Sequence, residues 1–328
     1  MKYKALFVLF LIATLSYSQV NDVLLPVKGK KLYYYSNSEA KPITEEKFSI
    51  AGPYKNGIAV ASDQNATSLF DPLVGLLDRN GNWITKVEFQ EIGEFVDGVA
   101  PAKRKGKWGL ITPDGKISLP LKYDGLDKPK EGLVGYKEGM KWGYSDYFGN
   151  VKIAAQFERV TPFESGKAMV KLANRWFIID TQGRQAAKGD WDFAKGFTEG
   201  KAAVKFSEGL WSFVDTSGKH VFQIGFEDVE PFKEGRAAVM VNGYWGFINH
   251  EGIELVPTVY FKVEDFNEGL AAVKYRGKWG YVDLNGNVIV RTIYTKAQPY
   301  LSGYARVKDH VGRSHYINRE GSIVASDY

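Results

Sequence analysis

A chain of 328 residues that is 44% hydrophobic and 25% charged is globular rather than disordered. Its 35 Gly, 20 Phe, 19 Tyr and 8 Trp against only 4 Met favour strands and turns over helices. Zero Cys excludes disulfides, thiolate metal sites and cysteine nucleophiles, and a net charge of +5 is too weak to argue for nucleic acid.

Residues 1–18 read as a signal peptide. Lys2 and Lys4 form a basic start, Ala5 to Leu15 is apolar, and Ser16 and Ser18 are small residues before a cut at Gln19. The apolar run is short for a membrane span, which needs roughly 20 residues. An uncleaved anchor is the other reading. No Cys follows, which excludes lipidation at cysteine, and no later stretch is apolar enough to span a membrane.

Residues 19–328 read as a single domain of about nine repeated units. Trp recurs at 108, 142, 176, 211, 245 and 279, in steps of 34 or 35. Val74 fills the same slot one step earlier and Ser314 one step later, and Leu32-Tyr33-Tyr34-Tyr35 reads as a degenerate first copy. After Trp come Gly, two apolar residues, Asp, Asn or Thr, and a second Gly, as in Trp279-Gly280-Tyr281-Val282-Asp283-Leu284-Asn285-Gly286. An aromatic follows that second glycine at a fixed distance: Phe89, Tyr123, Phe157, Trp191, Phe226, Tyr260, Tyr294. Then comes a third glycine before an Ala-x-Val segment, as in Gly269 before Ala271-Ala272-Val273.

These residues resemble the WG-repeat (KWG-repeat) family. Lys107-Trp108-Gly109, Lys141-Trp142-Gly143 and Lys278-Trp279-Gly280 carry the resemblance, with Phe-x-Glu-Gly-x-Ala-x-Val segments between them. Trp176-Phe177, Trp211-Ser212 and the end units without Trp depart from the pattern. The resemblance implies a bacterial β-rich repeat protein with no assigned catalytic residues. With the signal peptide, it places the mature chain in the periplasm or at the cell exterior.

Each unit reads as three antiparallel strands: Ala-x-Val, Trp, and a third ending on the aromatic slot. In the Trp strand, Trp279 and Tyr281 point one way and Gly280 and Val282 the other. The gap beside the glycine is expected to take a neighbouring unit's side chain, and the Trp to sit in the core. A strand apolar on both faces needs neighbours on both sides, so no unit folds alone. The fold class is all-β, with tandem three-stranded units of about 34 residues forming an open, solenoid-like array. A closed propeller-like toroid is the alternative. Nine units with degenerate, cap-like ends favour the open form.

The aromatic slots suit core packing rather than sugar stacking. Aromatics outside the slots, Tyr33, Tyr34, Tyr35, Trp83, Tyr147 and Phe148, are the better ligand candidates. Lys107, Lys141 and Lys278 stand one per unit and offer either a row for an anionic polymer or solvated edge charges. The turns at Asp78 and Asp283 look like calcium loops but lack the distal Glu. The paired acids Asp190 with Asp192, Glu227 with Asp228 and Glu264 with Asp265 lie in repeated segments and read as solvated loops. His220, His250, His310 and His315 lack zinc spacing.

No catalytic, metal or cofactor site is expected. The reading is a non-enzymatic envelope protein offering a binding or scaffolding surface to a protein or polymer. The alternative is a carbohydrate- or cell-wall-binding module, with an envelope polysaccharide as partner.

Overall fold

The computed structural model describes residues 24–30, 32–37, 41–45, 47–63, 72–206, 208–222 and 224–327. The signal-peptide reading over 1–18 lies outside them. No helix among the described residues is long and apolar enough to cross a membrane.

We number the units 1 to 9 by their slots at Tyr33, Val74, Trp108, Trp142, Trp176, Trp211, Trp245, Trp279 and Ser314. Unit 4 shows the pattern, with strands Gly125–Leu126, Leu133–Glu138, Lys141–Asp146 and Val151–Phe157 hydrogen-bonded in chain order. The last three are the expected strands. The short first one was not expected; it pairs Gly125 with Lys137 and Leu126 with Tyr136. The glycine after it, Gly132, takes a positive φ of 74°, and the residue before it, Glu131, one of 54°, so the chain turns sharply into the Ala-x-Val strand.

Eight antiparallel sheets form among the described residues. Seven hold one unit each. The first sheet is five-stranded, from Leu25–Lys28 to Gly75–Leu77, and joins units 1 and 2. The apolar core is divided between the sheets. Each pair of successive units encloses its own cluster, such as Tyr144, Phe163 and Ile179 between units 4 and 5. Tyr281, Tyr300 and Ile317 do the same between units 8 and 9.

A further cluster joins the two ends: Leu25 and Val27 of unit 1 pack on Tyr316 and Ala325 of unit 9. The Tyr316 hydroxyl donates to the Pro26 carbonyl at 2.9 Å, and the Lys28 N–H donates to Asp327 Oδ1 at 3.1 Å. The array is therefore a closed, propeller-like ring of eight sheets, and the open form is corrected. The physical reason is that the degenerate ends are not polar caps. Each leaves an apolar face, and the two faces cover one another.

The glycine after Trp has a different role from the one expected. A Cβ on Gly246 would stand 2.5 Å from the Val256 carbonyl oxygen and 2.7 Å from the Thr258 nitrogen. The gap is filled by backbone of the unit's own third strand, which bulges over the glycine between the pairs Trp245–Tyr260 and Phe247–Val256. Gly109, Gly143 and Gly280 meet the third strand in the same way. In unit 5, where Phe177 replaces the glycine, the facing strand carries Gly189. In unit 6, where Ser212 replaces it, the sheet keeps only three strands.

Burial also redistributes the expected core. The aromatic slots are buried throughout, from Phe89 to Tyr294. Of the slot tryptophans only Trp176 and Trp279 are buried; Trp108, Trp142, Trp211 and Trp245 are half-buried. The most enclosed position lies two residues on: Leu110, Tyr144, Ile178, Phe213, Phe247 and Tyr281 are at most 1% exposed.

Two outcomes follow. Gly246→Ala forces a methyl against backbone and should cost about 1–3 kcal/mol or more; an unchanged denaturation midpoint would refute the contact. Trp279→Ala should cost about 3–5 kcal/mol and half-buried Trp245→Ala clearly less, a ranking that thermal unfolding of the two variants reads directly.

Candidate functional site at the seam of the ring

Most polar side chains in the repeated segments hold backbone. The Asp or Asn four residues after Trp accepts two N–H groups of its own turn. Asp146 Oδ1 takes them from Phe148 at 3.0 Å and Asn150 at 2.9 Å. Burial works against ionisation there, yet these bonds, the Asn150 amide and Lys152 together bring Asp146 down to about 2. The turns at Asp78 and Asp283 are built the same way, so their oxygens serve the turn.

The acid of the Phe-x-Glu-Gly segment reaches the next unit. Glu234 accepts from the Glu268 and Gly269 N–H groups, both at 2.8 Å, and Glu131 from Ser165 at 2.6 Å and Gly166 at 3.0 Å. These carboxylates link successive turns along the ring.

The paired acids are engaged too, not merely solvated. Asp192 meets Arg175 at 2.6 Å and Asp190 meets it at 3.3 Å. Glu227 holds the Asn242 and Gly243 N–H groups at 2.8 and 2.9 Å, and Glu264 pairs with Lys262 at 3.2 Å. His250 stacks on Phe232 at 4.5 Å and meets Glu199 at 3.0 Å; buried His315 lies between Asp309 and Ser326. Among the described residues no group of three His, Cys, Asp or Glu side chains is placed to hold a metal.

The predicted ligand residues do not come together as one site. Tyr35 is fully buried, with its hydroxyl on the Gly52 carbonyl at 2.8 Å, and is a core residue. Tyr34 packs against the cluster that closes the ring. Trp83 is 37% exposed and stands edge-on to Phe48 at 6.1 Å. Phe148 is well exposed, whereas the Tyr147 hydroxyl donates to Asp97 at 3.1 Å.

Lys107 and Lys141 are exposed and Lys278 is half-buried. Lys107 is paired with Asp124 at 2.6 Å. These lysines stand at hairpin turns. The Trp strand is covered by the third strand, so they are not edge charges.

Of these residues, Tyr33 lines a cavity. It opens at the seam, holds about 470 Å³, and touches units 8, 9, 1 and 2. Its wall includes Tyr33, Pro53, Asn267, Tyr300, Tyr304 and Arg306. Ordinary ligand sites span about 300–1,000 Å³. The sequence signal for this place was the degeneracy of both end units, which marks where the repeat is interrupted.

A model of the WG containing repeat matches residues 75–108, 108–142, 142–176, 176–211, 211–245, 245–279 and 279–309. The chain belongs to the WG-repeat family. No curated protein sequence matches this WG-repeat chain. Its fold is similar to that of a eukaryotic initiation factor in a crystal structure, at 11% identity and a TM-score of 0.64 over 93% of this chain and 96% of that one. BamB from Moraxella catarrhalis aligns at 13% identity and a TM-score of 0.45, over 72% of this chain and 84% of that chain. The first of these likenesses speaks to the fold alone.

Burial raises two carboxyls, Asp127 and Asp265, which therefore work against the fold as charged groups. Asp127 is half-buried beside Tyr144, and burial pushes it up to about 6 although the Lys128 N–H bonds its Oδ1 at 2.8 Å. A pKa raised on folding removes stability as pH climbs from the unfolded value near 4 through 6. Asp127→Asn should therefore raise the melting temperature at pH 7.5 and leave it unchanged near pH 4. An equal effect at both pH values would show that burial of the charge is not the cause.

Proposed function

We propose that this WG-repeat protein is a non-enzymatic, exported ring that offers a binding or scaffolding surface to a protein or envelope polymer. The supporting observation is the use made of its polar groups. The acids of the repeated turns clamp backbone within and between units, which suits a rigid platform better than acid–base chemistry. Contact then falls to side chains outside the clamps, among them exposed Met140, Phe148 and Phe261. Repeat architectures present such side chains over extended surfaces. Export rests on the signal-peptide pattern of residues 1–18. No cofactor or nucleic acid enters the reading.

A carbohydrate- or wall-binding role is the second reading. It is favoured by the exposure of Trp83 and by the tyrosine-lined seam cavity.

The test is photo-cross-linking in the producing cells, with the reactive residue at 148 or 261 of the full chain, beside sedimentation of residues 19–328 with peptidoglycan and insoluble polysaccharides. A discrete protein adduct supports the scaffold. Sedimentation that Trp83→Ala abolishes supports the second reading. Neither adduct nor sedimentation overturns both.

A further inference from the structure

A second cavity of about 430 Å³ shares Arg306 and Gln298 with the seam cavity. It lies between units 8 and 9, and its wall includes Trp279, Lys296, Arg306, Lys308 and Ser314. Among the described residues no carboxylate lines it.

Facing like charges occur at the equivalent place of unit 5, where Arg159 meets Lys171, and in both units beside this cavity. Lys296 and Lys308 face each other directly across an antiparallel pair. In unit 8, Lys262 and Lys274 do the same, and both ammonium groups lie within 6 Å of the Trp279 ring centre. Like charges in facing positions disfavour a sheet. Two such pairs around one tryptophan concentrate positive charge there.

Neighbouring acids only partly offset it. Glu264 meets Lys262 at 3.2 Å, and Asp327 pairs with Arg306. Lys274, Lys296 and Lys308 have no ion pair among the described residues.

The equivalent place in other units shows what is missing. The residue after the aromatic slot is Asp124 in unit 4, Glu158 in unit 5, Asp192 in unit 6 and Glu227 in unit 7. Asp124 is held below the usual carboxylate range first by its bond to Lys107, with Lys137 contributing; Lys137 occupies the place of Lys274 and Lys308. In units 8 and 9 that acid is replaced by Phe261 and Thr295. The Thr295 hydroxyl bonds the Lys308 and Asp309 carbonyls at 3.1 and 2.9 Å and brings no charge. In units 4 to 7 the acid bonds Lys107, the Asn174 N–H, Arg175, or the Asn242 and Gly243 N–H groups rather than a facing lysine, and units 8 and 9 carry no acid at this position.

We propose that this cavity binds a small anionic ligand, a carboxylate or phosphate group carried on a body the size of one sugar ring. Lys296 and Lys308 supply the counter-charge, Arg306 Nε and Ser314 Oγ hydrogen bonds, and Trp279 the apolar wall. The site does not depend on the scaffold reading and stands whether or not the ring has a macromolecular partner.

Calorimetric titration of residues 19–328 with glucuronate, glucose 6-phosphate and neutral glucose tests it. Binding of either anion without glucose is expected, and the arm that binds distinguishes carboxylate from phosphate. Lys296→Ser with Lys308→Ser should weaken that binding at least tenfold without lowering the melting temperature, because a like-charge pair has been removed. Lys107→Ser with Lys141→Ser, an equal loss of charge elsewhere, should leave it intact. Absence of binding by both anions, equal binding of glucose, or equal loss in the two double variants overturns the site.

Discussion

In units 3, 4, 7 and 8 the third strand lies so close to the Trp strand that the residue after Trp can have no side chain. At Gly280, as at Gly246, a Cβ would meet three backbone atoms of the facing strand, all closer than 3 Å. That approach allows the strand to bulge inward and set its terminal aromatic opposite Trp, as in the pair Trp279–Tyr294. The aromatic is then buried between units, where it joins the core of the next sheet. The exceptions follow the same constraint. With Phe177 in place of the glycine, the pairing Trp176–Trp191 is kept, and Gly189 opposite leaves room for the Trp191 ring. With Ser212, the hydroxyl meets His220 at 2.9 Å and the third strand loses its regular ladder.

Closure follows from the same division of labour. A sheet whose core lies on both faces is stable only between two others, so an array of such sheets must cap its ends or join them. Here the last unit offers Tyr316 and Ala325 and the first offers Leu25 and Val27, and the Tyr316 hydroxyl bonds the Pro26 carbonyl across the junction. Asp327 receives the Lys28 N–H and also pairs with Arg306, so residues from opposite ends of the chain share one carboxylate. The ring is held by about the same chemistry at its seam as elsewhere: a buried apolar cluster, and an acid bonded to a neighbour's backbone.

Much of this was legible in the sequence. The unit length, the two hairpin strands, the turn carboxylates and the buried aromatic slots all follow from spacing, because each is a local demand repeated in every unit. What escaped was non-local. The strand Gly125–Leu126 is two residues long and has no hydrophobic pattern of its own. Tyr35 looks like one of three equivalent tyrosines, and only the packing of units 1 and 2 separates it from Tyr33. The ends read as caps because degeneracy shows that they differ from the interior but not that they fit each other. The tryptophans read as the core because they are the most visible repeat. The deeper position, two residues later, varies from Leu110 to Tyr281 and is hidden by that variation.

The clamps also decide where function has room. A carboxylate that already accepts two backbone N–H groups gives up those bonds if it turns to a ligand, at roughly 1.5–3 kcal/mol for each bond to a charged group. Glu131, Glu234 and Glu268 are in that position. The places free to respond are those where the repeat drops a clamp. Units 8 and 9 do so by carrying Phe261 and Thr295 where four earlier units carry acids. In a structure built from one unit, departure from the unit is the information, and the two cavities beside Arg306 both lie where the departures accumulate.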